Sequence, residues 1–202
     1  MSITSKMHHD GVRAVTMSYP PVNALPVAGW FAVAEAIQAA GEDPDTRVVV
    51  LRADGRGFNA GVDIKEMQAT EGFDAILAVN GFCLGGGVGL AGSADVIVAS
   101  DDAYFGVPEV DRGALGAATH LSRLVPAHLL RTLYFTSRTI TAQRLAEFGS
   151  VAQVVPADGL DEAAFAIADE IASKDTRVIR AAKEALNGID PVDVVKNYRW
   201  EQ

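Results

Sequence analysis

Two glycine-containing turns are the part of this sequence whose residue types and spacing could do chemistry. The first turn carries Asn59-Ala60-Gly61, and the second carries Gly85-Gly86-Gly87. Each turn lies between an apolar run typical of a strand and a segment typical of a helix. Free backbone N–H groups at the start of a helix attract anions, because the helix dipole is positive there. Two such turns side by side could therefore hold a thioester carbonyl oxygen as negative charge develops on it.

The second turn also has two other interpretations. Residues 87–92 match the GxGxxG pattern of dinucleotide-binding proteins. That pattern requires a full helix and then a strand that ends in an acidic residue, whereas here the next apolar run begins at once, at residue 95. Glycines can also simply allow a helix to pack closely on a sheet, which suits Gly89 and Gly92. For Gly85 to Gly87, which would open a helix after a strand, anion binding is a second possible role.

Apolar runs and helical periodicity indicate which elements position these turns. Runs of β-forming residues predict strands at 13–18, 47–52, 76–79, 95–100 and 103–105. A helix is predicted at 27–40, with Gly41 as its C-cap. Three further helices are predicted at 142–148, 162–173 and 176–186, capped by Thr141, Asp161 and Asp175.

The arrangement of these elements predicts the fold class. Strands that are apolar on both faces indicate sheets covered by helices. The predicted fold is therefore α/β with a helical C-terminal region. We expect a core over residues 1–156 and a helical region over residues 157–202.

Composition and charge argue against several classes of protein. The chain has 202 residues, 49% of them hydrophobic, and a formal charge of -9. A surface of that sign repels nucleic acids and anionic lipid head groups, so neither a nucleic acid nor a membrane is an expected partner. No apolar stretch is long enough to span a bilayer. Because the chain has a single cysteine, Cys83, and no leader pattern, we expect a cytoplasmic location.

Segments along nearly the whole chain resemble the crotonase (enoyl-CoA hydratase/isomerase) family, in the same order and at comparable positions. The main ones are Asn59-Ala60-Gly61-Val62-Asp63-Ile64-Lys65, residues 78–87 with the three glycines, and Phe105-Gly106-Val107-Pro108-Glu109-Val110. Residues 21–25, 148–151 and 181–187 are similar as well. The resemblance implies a crotonase-type spiral of ββα units and a homotrimer or a dimer of trimers. It also implies an acyl-CoA substrate, with no cofactor apart from this coenzyme A and no metal.

The resemblance further implies roles for individual residues. The N–H groups of Ala60 and Gly86 would hold the thioester oxygen, and Gly85 would be among the residues that bind the substrate. The coenzyme A part of the substrate would run past two segments, formed by Asn23, Ala24 and Leu25 and by Asn59, Gly61, Val62, Asp63 and Ile64.

Glu109 is the acid or base that the resemblance implies. Family hydratases use two glutamates, and the second of their positions is occupied here by Glu109 while the first is occupied by Gly89. Addition of water by two carboxylates is therefore not expected, because two groups must share that water. One carboxylate fits movement of a double bond or hydrolysis of a carbon–carbon bond. Without the resemblance, Glu109 would be read as a solvated turn residue.

Four other residues near these motifs have two interpretations each. Asp111 and Arg112 could line the acyl pocket or form a surface ion pair, which contributes little. His120 could relay a proton or could be structural at the start of a helix. Asp63 is better explained as a helix cap than as a catalyst, and Cys83 as a small packing residue.

Residues 56–67, 112–126 and 174–180 are similar to one actinobacterial branch of the family. That branch opens rings hydrolytically in cholesterol catabolism and acts on the CoA thioester of the last two fused steroid rings. The implied function is thus hydrolytic cleavage of a carbon–carbon bond in a bicyclic steroid-derived CoA thioester. The alternatives are an enoyl-CoA isomerase or hydratase of fatty acid metabolism and a noncatalytic crotonase-fold binding protein. Retention of Glu109 and of both turns argues against the last.

Two segments usual in the family have no counterpart in this sequence. One is a helix over the acyl pocket, omitted between Ala75 and Ile76, and the other comprises the last C-terminal helices, beyond Gln202. If residues are left out at the first place, the Cα atoms of Ala75 and Ile76 should be further apart than the roughly 3.8 Å of a peptide bond.

Overall fold

The structure, a computed structural model, describes residues 1–61 and 75–200. Its strands are β1 (Ser2–His9), β2 (Val12–Ser18), β3 (Val48–Ala53), β4 (Ala75–Val79), β5 (Phe82–Leu84), β6 (Val96–Ser100), β7 (Tyr104–Gly106), β8 (Ile140–Thr141) and β9 (Gln153–Val155). Six of them form one sheet in the order β1-β2-β3-β4-β6-β9. The pair β1 and β2 is antiparallel, and the other neighbours in this sheet are parallel. A smaller sheet has the order β5-β7-β8.

Helices connect and cover these strands. They are α1 (Val27–Glu42), α2 (Gly86–Ser93), α3 (Ala118–Leu121), α4 (Ala127–Thr136), α5 (Ala142–Glu147), α6 (Leu160–Ala172), α7 (Thr176–Ile189) and α8 (Val194–Tyr198). Two 3-10 helices span Pro108–Arg112 and Ala157–Gly159. In the part of the chain that the structure describes, no helix combines the length and the apolar character needed to cross a membrane.

The central strands of the large sheet are buried on both faces, which explains their continuous apolar runs. Along β3, Val48 and Val50 belong to a cluster with Phe165 and other residues of α6. Val49 and Leu51 belong to a larger cluster that includes residues of α1 and α2. Successive strand residues point to opposite faces, so both sets must be apolar when both faces are covered. The predicted α/β class with a helical C-terminal region is confirmed.

The predicted element boundaries hold with a few corrections. Thr141 and Asp175 cap their helices as predicted, because their side chains accept hydrogen bonds from Arg144 N and Arg177 N. The prediction for Asp161 is wrong, since α6 already begins at Leu160. Gly41 is not a C-cap either, because α1 continues to Glu42.

The proposed boundary at residues 156 and 157 stays a prediction. Helix α6 follows it in sequence, yet Ala164, Phe165 and Ala168 are buried against the large sheet. The first helix of the C-terminal region is thus part of the core.

The predicted gap between Ala75 and Ile76 is wrong in this structure. Strand β4 runs through both residues and pairs with β3 in an unbroken register, Val49 with Ala75 and Val50 with Ile76. A regular parallel ladder requires consecutive residues on each strand.

Candidate active site

The two glycine-containing turns lie against each other. Leu84 N donates a hydrogen bond of 2.9 Å to Asn59 O, and Asn59 and Cys83 form a parallel β-bridge. A Cβ atom added to Gly61 would lie 3.2 Å from Leu84 O and 3.4 Å from Gly86 N. The backbone of the first turn therefore passes within van der Waals contact of the start of α2.

Backbone geometry explains why glycines occupy these turns. Gly61 has φ +84° and Gly85 has φ +54°, a region that residues with a Cβ rarely adopt. Gly85 precedes α2, and its carbonyl accepts hydrogen bonds from Val88 N at 2.9 Å and Gly89 N at 3.2 Å. Within residues 1–61 and 75–200, the N–H of Gly86 donates to no other group. No described group therefore occupies this N–H, and Gly86 itself is buried.

The same is true of one amide in the first turn. Gly61 N donates to Asn59 Oδ1 at 2.8 Å and is thus occupied. Ala60 N donates to no group of the described residues, and Ala60 is partly exposed whereas both of its neighbours are buried. The predicted pairing of Ala60 with Gly86 stays a prediction, and no described group occupies either amide.

Glu109 lies at the point where the two turns meet. It belongs to the 3-10 helix Pro108–Arg112, which follows β7, and Gly85 N donates 2.9 Å to Gly106 O at the end of that strand. A Cβ atom on Gly85 would collide with Glu109 Oε1 and would lie 3.6 Å from Gly61 Cα. The carboxylate is therefore packed on the Gly85 backbone beside Gly61, and its other oxygen, Oε2, is buried.

Helix α2 carries no acidic residue, since its sequence is Gly-Gly-Val-Gly-Leu-Ala-Gly-Ser. Gly89, at the position of the first family glutamate, is buried in this helix. The carboxylate of Glu109 thus has no counterpart on α2. Among the residues that the structure describes, no group of three or more His, Cys, Asp and Glu side chains could hold a metal ion.

Two buried asparagines hold the first turn in place. Asn59 is 0% exposed, and its Nδ2 donates 2.6 Å to Asn23 O. The side chain of Asn23 accepts from Tyr19 N at 2.7 Å and donates to Asp54 O at 2.7 Å and Gly57 O at 2.9 Å. Both side chains are therefore engaged in hydrogen bonds inside the protein.

The predicted coenzyme A contacts stay predictions. Leu25 is buried, and Ala24 is partly exposed. Because the side chains of Asn23 and Asn59 are engaged internally, these two residues could contact coenzyme A only through their backbone. Val62, Asp63 and Ile64 lie outside the described residues, and so does the predicted capping role of Asp63.

The structure does not bring His120 to this site. A Cβ atom on Gly92 would collide with His120 O, so His120 packs beside the last turn of α2. Gly92 is six residues after Gly86, or about 9 Å further along the helix axis. His120 is 6% exposed, and its burial, aided by the charge of Arg123, lowers its pKa to about 4. A buried, neutral histidine at this distance is better explained as a core residue than as a proton relay.

The remaining candidates lie at the periphery or in the core. Asp111 and Arg112 are both exposed on the 3-10 helix, and no ion pair joins them within residues 1–61 and 75–200, so their place in an acyl pocket stays a prediction. Cys83 is fully buried, and its burial raises its pKa well above the usual value, which disfavours the nucleophilic thiolate.

The sequence profile of the enoyl-CoA hydratase/isomerase family matches residues 7–77 and 73–192. The chain belongs to this family. Two relatives named (7aS)-7a-methyl-1,5-dioxo-2,3,5,6,7,7a-hexahydro-1H-indene-carboxyl-CoA hydrolase are similar over 100% of the chain. The one from Rhodococcus jostii is 61% identical, with 87% of its length covered, and the one from Mycobacterium tuberculosis is 59% identical, with 91% covered.

Solved structures of the family share the fold. A probable enoyl-CoA hydratase from Mycobacterium thermoresistibile is 30% identical, with a TM-score of 0.88 over 96% of this chain and 90% of its own. An enoyl-CoA hydratase from Mycobacterium paratuberculosis is 28% identical, with a TM-score of 0.90 over 98% and 93%. The predicted crotonase-type fold is confirmed, and the protein is an enzyme of this family.

The two ranges that match the family profile overlap at residues 73–77. The alignment with the Rhodococcus hydrolase also spans 224 positions, more than the 202 residues of the chain. Both observations agree with a family segment omitted near Ala75, although the backbone is continuous there.

The family resemblance implies a coenzyme A contact for Asn59 and does not indicate its bond to Gly61. A signal was present, because an Asn side chain often bonds the backbone N–H two residues later. The spacing of Asn59 and Gly61, with a glycine at the second position, is compatible with such a turn.

Proposed function

We propose that this enzyme hydrolyses a carbon–carbon bond in the ring system of a bicyclic, steroid-derived CoA thioester. The observation that carries the proposal is the single carboxylate of Glu109, packed on Gly85 where the two turns meet, opposite a helix α2 without an acid. This arrangement suits chemistry with one carboxylate and an enolate-binding pair of amides. The names of the two hydrolase relatives, at 61% and 59% identity, support the same reaction and substrate class.

The proposed reaction balances with one water molecule and one proton-carrying residue. Glu109 takes a proton from water, and the hydroxide adds to the ring ketone. The bond between the carbonyl carbon and its neighbour breaks, which converts the ketone into a carboxylic acid. The departing electron pair delocalises into the unsaturated thioester, whose oxygen accepts hydrogen bonds from Ala60 N and Gly86 N. Glu109 then returns the proton to carbon.

The two amides are proposed to supply the largest share of the rate enhancement. Removal of one donor to an oxyanion typically lowers kcat by about 100- to 1,000-fold.

The backbone near Asn23 to Leu25 and the segment 59–64 are proposed to hold the coenzyme A moiety.

The experiment is turnover of a bicyclic keto-acyl-CoA in isotopically labelled water, followed by mass spectrometry. We expect a product heavier by one water, with the labelled oxygen in a new carboxyl group. The Glu109→Gln variant should lose about 100- to 10,000-fold in kcat, because a general acid–base contributes that range. It should still bind coenzyme A thioesters, since the backbone amides are unchanged.

The alternative functions predict different results when other acyl-CoA substrates are tested. Hydration of a simple straight-chain enoyl-CoA at a rate comparable to that of a dedicated hydratase would refute the hydrolase proposal. Deuterium exchange on a 3-enoyl-CoA without ring opening would indicate an isomerase. Binding without turnover, unchanged in Glu109→Gln, would indicate a noncatalytic protein.

We also propose that the chain forms a homotrimer or a dimer of trimers. An ion pair joins Lys183 of helix α7 to Asp95, and a second one joins Asp190, directly after the helix, to Arg123. A stripe on α7 comprises the apolar side chains of Val178, Leu186 and Ile189, which are 64%, 62% and 74% exposed. Such a stripe supports burial against another copy of the chain.

A cytoplasmic location is a further proposal. It is supported by the one cysteine, Cys83, which is a buried free thiol. Free thiols are typical of reducing compartments.

A further inference from the structure

The side chain of Asn59 closes a small ring over Ala60. Asn59 Oδ1 accepts 2.8 Å from Gly61 N, the bond of an Asx-turn, and the peptide N–H of Ala60 lies inside the turned segment. Because this bond occupies Gly61 N, it determines which amide of the turn is left for an external oxygen. Asn59 is 0% exposed, so it acts on a substrate only through its neighbours.

The other end of the same amide is anchored to a second loop. Asn59 Nδ2 donates 2.6 Å to Asn23 O, and the side chain of Asn23 in turn binds the backbone at Asp54 and Gly57. The backbone of Asn59 is held as well, because its N–H donates 3.2 Å to Phe82 O and its carbonyl accepts from Leu84 N. Every polar atom of Asn59 is thus bonded, and the residue links three segments next to the start of α2.

We propose that Asn59, anchored by Asn23, is a positioning residue that fixes the Ala60 peptide at the distance from Gly86 N that a thioester enolate oxygen requires. The inference rests on the proposed function. It requires an amide at position 59, since one atom must accept from Gly61 N while the other donates to Asn23 O. A carboxylate of the same shape can do only the first of these.

The test uses Asn59→Asp, a substitution that keeps the shape of the side chain. The ionised carboxylate faces the carbonyl of Asn23, and we expect kcat to fall by about 100-fold, the usual cost of a displacement of about 1 Å in a reacting group. KM should stay within about threefold, since the binding surface is unchanged. Burial raises the pKa of such a carboxyl. Its protonated form again both donates and accepts, so the ratio of variant kcat to wild-type kcat should rise as pH falls from about 9 to 6.

The infrared frequency of the thioester carbonyl in a bound, unreactive acyl-CoA analogue provides the direct readout. Wild-type protein should lower this frequency, because two N–H donors polarise the carbonyl, and Asn59→Asp should lower it less. The matched control is Asn80→Asp, because Asn80 Nδ2 likewise donates to a loop carbonyl, Gly55 O at 2.7 Å, and its side chain makes no hydrogen bond to the 59–61 turn among the described residues. This control should keep the wild-type shift and kcat.

A second variant, Asn59→Ser, guards against a folding defect. Its hydroxyl is neutral and can accept from Gly61 N but is too short to reach Asn23 O, so kcat should fall without rescue at low pH. If wild-type protein shows a carbonyl shift that both Asn59 variants keep, the inference is wrong and the proposed function stands. If wild-type protein shows neither shift nor turnover, the proposed function fails and the inference with it.

Discussion

Gly85→Ala tests whether Glu109 must rest on the glycine turn. Gly85 has φ +54° and ψ -112°, a backbone conformation that costs a residue with a Cβ about 1–3 kcal/mol. At the size of this chain, each kcal/mol corresponds to about 2–4 °C in Tm. In addition, the new methyl group would collide with Glu109 Oε1.

The collision is expected to affect catalysis separately from stability. Restoring van der Waals contact displaces the carboxylate by roughly 1 Å, which costs about 100-fold in rate when the group must reach a reacting atom. We therefore expect kcat to fall by about that factor, with KM within about threefold because the proposed coenzyme A contacts lie on other segments. Steady-state kinetics on the bicyclic substrate and thermal unfolding measure the two effects.

Gly149→Ala is the matched control. Gly149 has φ +81°, and an added Cβ would contact nothing within 4 Å. This variant should lose stability through backbone strain alone and keep its kcat. If Gly85→Ala retained kcat within about threefold while its Tm fell as in Gly149→Ala, the placement of Glu109 on the turn would be irrelevant to catalysis.

Two further predictions concern stability and assembly. The pKa of His120 is lowered from 6.5 to about 4 in the folded protein, so the unfolded chain binds the proton more readily between these values. The free energy of unfolding should therefore decrease as the pH is lowered below 6.5, and this residue should account for about 2 kcal/mol of the decrease at pH 5. His120→Phe should lose that part of the pH dependence in denaturant titrations. Leu186→Glu places a charge in the exposed apolar stripe of α7 and should convert the oligomer to monomers in sedimentation experiments, whereas Lys174→Glu, on an exposed residue ahead of α7, should not. An unchanged oligomer in Leu186→Glu would exclude this stripe from the interface.

Patterns that depend on local chemistry could be recognised from the sequence. The apolar runs predict β2, β3, β4 and β6 because both faces of these strands are buried, and the glycine motifs predict turns because the backbone there adopts positive φ. The first strand, β1, was missed, since it is an edge strand with mostly exposed side chains and so carries little apolar signal. Helix α4 was missed as well, and Leu133 is its one buried residue.

The sequence by itself determined the family, the carboxylate at Glu109 and the absence of an acid at Gly89, because these depend on residue types at fixed spacing. Only the tertiary structure decided that Glu109 packs on Gly85, that Asn59 bonds Gly61 rather than facing outward, and that His120 lies near the far end of α2. These outcomes depend on how separate segments approach one another. The spacing of residues along the chain does not specify how these segments approach one another. Their approach is set by close packing in the folded protein, which glycines allow because they have no Cβ.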